Sequence, residues 1–171
     1  VLNNKLKLIN KNLDWSLIQL PDKRFGYLKN TSFADITKEI KDPIQTRLKL
    51  AHQMMGTPYL WGGNSTKGND CSGFTQNIFE ASGIELPRDA RQQALYGKEI
   101  IPNKTWSNVQ PGDLLFFGKE ERVTHVGMSL GQYDFIHQGG MVSINSLSPE
   151  SISFASKRLD TFLFIKRIND K

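Results

Sequence analysis

Gly68-Asn69-Asp70-Cys71-Ser72-Gly73-Phe74 carries the only cysteine of the chain, directly behind a helix-capping residue. Asp is a favoured N-cap, so Cys71 is expected in the first turn of a helix. Backbone N–H groups there have no intrahelical acceptor, and with the macrodipole they favour a thiolate. Ser72 and Gly73 are small and leave the sulfur accessible. Phe74, Ile78 and Phe79 recur on one helical face, and Gly83 ends the helix. A cysteine taken alone is more often a small buried hydrophobe, but a structural cysteine has no need of this position.

Upstream, Asp42-Pro43 opens an earlier helix with a cap and a first-turn proline, and Ile44, Leu48, Ala51 and Met55 form its expected apolar stripe before Gly56. Residues 57–69, with Pro58, Gly62, Gly63 and Gly68, read as a loop. Before Asp42, residues 8–36 read as β structure, with strands Trp15–Leu20 and Phe25–Leu28 about the turn Pro21–Arg24. Downstream, a short helix is expected over Arg88–Tyr96. After Pro111-Gly112, five strands are expected: Asp113–Gly118, Val123–Leu130, Tyr133–Gln138, Met141–Leu147 and Thr161–Arg167. Helices followed by strands with hairpin-length links predict an α+β fold in which N-terminal helices pack on an antiparallel sheet.

The 171 residues suffice for one domain and a small appendage. The expected boundaries are 1–41 and 42–171. No apolar run is longer than that of Leu114–Phe117, which excludes a transmembrane helix. A single Cys excludes an internal disulfide framework and zinc sites built on paired cysteines. Residues 1–49 hold ten Lys/Arg and five Asp/Glu, whereas residues 50–171 hold twelve of each, so the whole net charge of +5 lies in the first part. Such a basic part is either a solvated surface or an attractor of an anionic polymer. No nucleic-acid-binding motif accompanies it, and nucleic acid is not an expected partner. The chain begins at Val1, with no signal peptide in view, as expected of a processed or trimmed form.

A thiolate nucleophile needs a proton acceptor that later returns the proton, a task suited to histidine near neutral pH. His52 falls beside the apolar stripe of the first helix and reads as a surface residue. His125 and His137 fall on consecutive strands about Leu130-Gly131-Gln132. If Gly131 is the centre of the turn, or if a bulge intervenes, the two imidazoles share one face of the ladder. A two-residue turn alone puts them on opposite faces. Cys71, His125 and His137 then supply nucleophile, base and orienting group. One Cys and two His are also a possible zinc set, but the acid–base reading accounts for all three and no metal is expected.

Six ordered motifs add a resemblance: Gly56-Thr57-Pro58-Tyr59-Leu60-Trp61-Gly62-Gly63, Asp70-Cys71-Ser72-Gly73-Phe74, Leu86-Pro87-Arg88-Asp89, Pro111-Gly112-Asp113-Leu114-Leu115-Phe116-Phe117, His125-Val126-Gly127 and Phe135-Ile136-His137. The chain resembles, over about residues 44–168, the NlpC-type family of papain-like cysteine peptidases, which cleave bacterial cell-wall peptides. Trp15 to Tyr27 resembles the last strands of a bacterial SH3-like barrel, of which about half is present. The resemblance implies Cys71 as nucleophile, His125 as base and His137 as the residue that orients it. It places Tyr59 and Trp61 on the oxyanion and substrate side, with the Tyr59 hydroxyl beside the Cys71 N–H, although core or loop packing is the plainer reading of both. It gives Asp70 and Ser72 substrate contacts and Asp89 the free amine of an L-alanine; Arg88 either pairs with the α-carboxylate of D-glutamate or is simply a surface arginine. Ala90 departs from the pattern, where Ser is frequent. So does Gln138, where a small residue is usual.

The implied activity is hydrolysis of the γ-D-glutamyl–diamino acid bond of murein peptides, preferably those with a free N-terminal L-Ala. No cofactor is implied. The SH3-like part is expected to close one side of the cleft, and its charge to hold the enzyme near an anionic wall polymer. A monomer in the cell envelope or outside the cell is expected. The alternatives are a non-catalytic wall-binding module, which the intact Cys71/His125/His137 set disfavours, and an acyltransferase or amidase on the same scaffold.

Overall fold

The computed structural model describes residues 3–33 and 40–168. Residues 34–36 of the expected β region, and residues 1–2 and 169–171 of the expected domains, lie outside these. The chain divides into two compact units, Asn3–Lys41 and a second that begins at Asp42.

In the first unit, β1 (Lys7–Lys11), β2 (Trp15–Gln19) and β3 (Phe25–Lys29) form an antiparallel meander. β1 is a strand that periodicity does not single out, because all five of its residues are exposed. Ile18 and Ser16 are the buried residues of β2, and the Ser16 hydroxyl donates to Asn30 Oδ1 at 2.6 Å. Trp15, Phe25 and Tyr27 remain exposed.

The second unit opens with α1 (Pro43–Gln53), where Asp42 accepts from the Gln45 N–H at 2.9 Å. The expected stripe holds through Ala51 and then shifts by one residue. Met54 is buried and Met55 is 45% exposed, because the helix ends at Gln53 and its periodicity does not reach Met55. The loop that follows contains a small hairpin, β4 (Asn64–Ser65) and β5 (Gly68–Asn69). α2 (Cys71–Glu80) buries Phe74, Ile78 and Phe79 completely. α3 is shorter than the sequence suggests, Ala90–Gln93. β6 (Lys98–Ile100), β7 (Leu114–Lys119), β8 (Arg122–Gly131), β9 (Asp134–Gln138), β10 (Val142–Ser146) and β11 (Phe162–Arg167) form one sheet in the order β10-β9-β8-β7-β11-β6, with every pair antiparallel. The fold is therefore α+β. β6 and α4 (Ser156–Leu159) are too short to announce themselves by periodicity.

The sheet has two apolar faces. Leu114, Phe116, Val126, Met128 and Ile136 pack with Phe74, Ile78 and Phe79 of α2. Leu115, Phe117, Phe135 and Ile165 form a second cluster with Leu147 and Val109. β7 buries residues of both clusters in succession, hence its continuous apolar run.

The first turn of α2 lies tightly against the preceding loop. A Cβ on Gly73 would collide with the Gly63 carbonyl oxygen. Gly73→Ala is therefore expected to destabilise the protein by about 1–3 kcal/mol, despite alanine's better helix propensity. Gly140→Ala, where a Cβ meets nothing within 4 Å, serves as the tolerated control. Urea unfolding of the two variants checks this.

Candidate active site

Cys71 is the first residue of α2. Asp70 before it accepts from the Gly73 N–H at 2.8 Å and the Gly62 N–H at 3.0 Å, and pairs through both oxygens with Arg88, at 2.9 and 2.6 Å. Burial opposes the Asp70 charge, but the Arg88 guanidinium and the two N–H groups outweigh it and hold the carboxyl below its ordinary value. The Cys71 thiol is buried against the Val126 N–H. Burial pushes it up, against the N–H groups of Val126, Ser72 and Cys71 itself. The expectation that the helix start favours a thiolate is thus half right: the donors are present, and burial exceeds them.

His125 Nε2 and His137 Nδ1 lie 2.8 Å apart, with the ring planes at 87°. The turn-centred pairing is corrected by one step. His137 stands opposite Gly127, so the two histidines are diagonal rather than directly paired. The hairpin has the two-residue loop Gln132-Tyr133, which alone would send the rings to opposite faces. An irregularity between Ser129 and Gly131 restores the parity. Gly127 is what makes the diagonal passable, since a Cβ there would lie 3.0 Å from His137 Cβ and 3.1 Å from Phe135 Cδ2.

His137 Nε2 lies 2.9 Å from Asn145 Oδ1, and Asn145 Nδ2 donates to the Ser153 carbonyl at 3.1 Å. This fixes the proton positions. Asn145 presents an acceptor, so neutral His137 carries its proton on Nε2 and accepts at Nδ1. His125 then donates from Nε2, and its Nδ1 keeps a free lone pair. Both rings are neutral at pH 7. Burial, the Arg158 charge and His137 put His125 well below its usual value; burial also lowers His137, to about 4, against the Asn145 hydrogen bond. Among the described residues no three His, Cys, Asp or Glu side chains converge on a metal position.

The remaining expected residues separate into fixed and free. Tyr59 is half-exposed, and its hydroxyl is pushed up by burial first and then by Cys71 and Asp70. Trp61 is 85% exposed, which rules out a core role. Ser72 is buried, donates to Asp70 and accepts from Arg88 at 3.1 Å. Arg88 also donates to the Gly63 carbonyl, so it is neither a loose surface arginine nor free for a substrate carboxylate. Asp89 is exposed; its backbone carbonyl accepts from the Gln92 and Gln93 N–H groups, and its carboxylate makes no hydrogen bond or ion pair among the described residues. Gln138 is fully buried and donates to the Thr57 carbonyl and Asn69 Oδ1, both at 3.0 Å. It thereby ties the end of β9 to the Tyr59 loop. His52 is exposed, its Nδ1 2.7 Å from the Leu48 carbonyl.

Residues 56–159 match the NlpC/P60 family. The chain belongs to that family. Over 86 residues it is 45% identical to a gamma-D-glutamyl-L-lysine dipeptidyl-peptidase of Bacillus subtilis, which covers 48% of this chain and 28% of that protein. A protein of the same name from Bacillus cereus is 32% identical over 141 residues, covering 79% of this chain and 41% of its own length. The crystal structure of an NlpC/P60 family protein from Bacillus cereus superposes with a TM-score of 0.81 at 26% identity, over 96% of this chain and 54% of that one. The chain thus spans less than half the length of these two curated relatives. The stretch matching NlpC/P60 contains Cys71, both histidines and Asn145.

Asn145 was not singled out by the sequence, where nothing marks it except its place two residues from the partner of His137 on β10. Asn145→Asp should raise the His137 pKa from about 4, since a carboxylate favours the imidazolium; NMR titration of the ring checks this. Acid lability follows from the same burial. The unfolded chain protonates His137 near pH 6.5, the folded protein only near 4. Between those values the unfolded state holds more protons, so stability falls as pH is lowered from 6.5 and the loss is complete near 4. Unfolding midpoints over this range should decline, and decline less in His137→Gln.

Proposed function

We propose that this chain is a cysteine endopeptidase that hydrolyses the γ-D-glutamyl–diamino acid bond of murein peptides. The observation that carries the reading is the chain Ser153 carbonyl–Asn145–His137–His125, which leaves a lone pair on His125 Nδ1. His125 takes the Cys71 proton, and the sulfur adds to the scissile carbonyl. The oxyanion meets the Cys71 N–H and the Tyr59 hydroxyl; one such donor is typically worth ~3 kcal/mol. His125 returns the proton to the departing amine, and water, deprotonated by His125, releases the acyl group from the sulfur. His137 holds His125 in the required tautomer. No cofactor enters these steps.

In this reading residues 42–171 are a papain-like catalytic domain, and β1–β3 are the surviving part of an SH3-like barrel within residues 1–41. The wall peptide places the enzyme in the cell envelope or outside the cell, with the basic first part near an anionic polymer. Arg88, Asp70 and Ser72 frame the nucleophile. Asp89, exposed and without an ion pair among the described residues, is left to take the free ammonium of L-Ala, and the exposed Trp61 is assigned to the substrate side.

L-Ala-γ-D-Glu-diaminopimelate and its N-acetylated form, followed by mass spectrometry, test the reading. The free-amine peptide should be cut at least about tenfold faster, since a charge-assisted hydrogen bond contributes ~1.5–3 kcal/mol and ~1.4 kcal/mol is one decade. Asp89→Asn should lose most of that preference, and Cys71→Ser all hydrolysis. Equal rates on both peptides would remove Asp89 from recognition, and transfer of the acyl group to an added amine in place of water would make the chain an acyltransferase.

A further inference from the structure

We infer that the cavity beside Arg158 is a carboxylate-binding site for the leaving amino acid, a reading that rests on the proposed peptidase activity and extends it to the other side of the scissile bond. Arg158 lies on α4, with its guanidinium 5.8 Å from the centre of the Phe117 ring. Phe117 is the cross-strand partner of His125, and their rings are 5.7 Å apart. The cation therefore stands one aromatic ring from the base. Among the described residues nothing accepts a hydrogen bond from it and no carboxylate pairs with it. It is only partly exposed, and burial works against its charge. A half-buried guanidinium without an anion is a costly arrangement, which a ligand anion would relieve.

The surrounding space has the matching chemistry. A cavity of about 520 Å³ is lined by Arg158, Arg122, Lys119, Thr124 and Thr161, with Glu120 as its one carboxylate. Three cations against one anion leave it net positive, and two hydroxyls add neutral donors. Thr124 immediately precedes His125 in β8.

The side of the bond follows from proton transfer. His125 must reach the departing nitrogen to protonate it, so the residue carrying that nitrogen lies on the His125 side of the bond. In a tripeptide the diamino acid bears an α-carboxylate two bonds from that nitrogen. Bound at Arg158, it would also cancel a charge that now disfavours protonated His125, His137 being disfavoured likewise. The carboxylate thus favours both binding and the protonated base that the reaction needs.

The test compares tripeptides ending in L-lysine, in L-lysinamide and in meso-diaminopimelate, cut by the full chain and by Arg158→Gln and Arg158→Lys. The full chain should prefer lysine over lysinamide by about tenfold or more in kcat/KM. R158Q should bring that ratio close to one by slowing only the free acid, and R158K should retain most of it. A further preference for diaminopimelate over lysine, lost in R158Q, would assign the distal carboxylate to the same site. If R158Q slows acid and amide equally, Arg158 acts only through the histidines and the site is overturned.

Alkylation of Cys71 tests the site without any peptide. The rate ratio of iodoacetate, an anion, to neutral iodoacetamide should fall about fivefold in R158Q and less in Arg122→Gln. A lowered ratio in a chain that cuts none of the peptides would keep the anion site and reject the peptidase reading. An unchanged ratio together with an unchanged acid-to-amide preference would reject the site alone.

Discussion

The Asp70 carboxylate is the point on which the site's geometry depends. It caps α2 through the Gly73 N–H, holds the glycine turn of the Tyr59 loop through the Gly62 N–H, and binds both terminal nitrogens of Arg88. Three separate segments are thereby fixed about the residue that precedes Cys71. The Arg88 end is secured in turn by Gln93, fully buried, which donates to the Ser72 and Pro87 carbonyls and accepts from Thr75 at 2.8 Å. Such a network stabilises only when every member is satisfied, and among the described residues no buried side-chain polar atom lacks a partner.

Within that frame, burial sets the resting charge state. It raises the thiol and lowers both imidazoles, so each charge by itself is opposed. The helix start and the Val126 N–H do not overcome this for the sulfur. A thiolate and an imidazolium formed together screen each other in a way that neither can achieve alone. In the proposed reaction the thiol would be activated by moving its proton to a histidine and not as a standing anion, so it would depend on which histidine nitrogen is bare. Asn145 and the Ser153 carbonyl decide that, although both lie outside the histidine pair.

The sequence made the α+β order, the capped start of α2 at Cys71 and the shared face of His125 and His137 legible, because caps, glycine stops and apolar periods act over a few residues. What it did not reveal acts across the sheet. β8 is bounded by irregularities on both sides, one against β7 near Phe117/Gly118 and one against β9 near Ser129/Gly131. Each changes which face the following residues occupy, and neither leaves a local sequence signal beyond a glycine. Counting from Gly131 therefore gave the right face with the wrong partner. Asn145 escaped notice for the same reason: its role comes from a diagonal across two strands. Arg88 illustrates the limit for charge. Its residue type announces an anion partner, but not that Asp70, eighteen positions earlier, already supplies one.

Fixed and unfixed charges divide the site's labour. Asp70, Ser72 and Arg88 have their hydrogen bonds committed within the protein, so a ligand could take them only by dismantling the frame that positions Cys71. Asp89, one residue beyond Arg88, inherits that rigidity through the backbone, while its carboxylate stays uncommitted among the described residues. An exposed side chain on a rigid backbone loses less freedom on binding a ligand than one on a mobile loop, so more of its interaction appears as affinity. The Asp89 charge still acts on the Arg88 guanidinium, which is favoured first by Asp70 and also by Asp89. The arrangement leaves, next in sequence to the fixed Asp70–Arg88 pair, one exposed carboxylate with no hydrogen bond or ion pair among the described residues, whose direct pairing would have to come from a ligand.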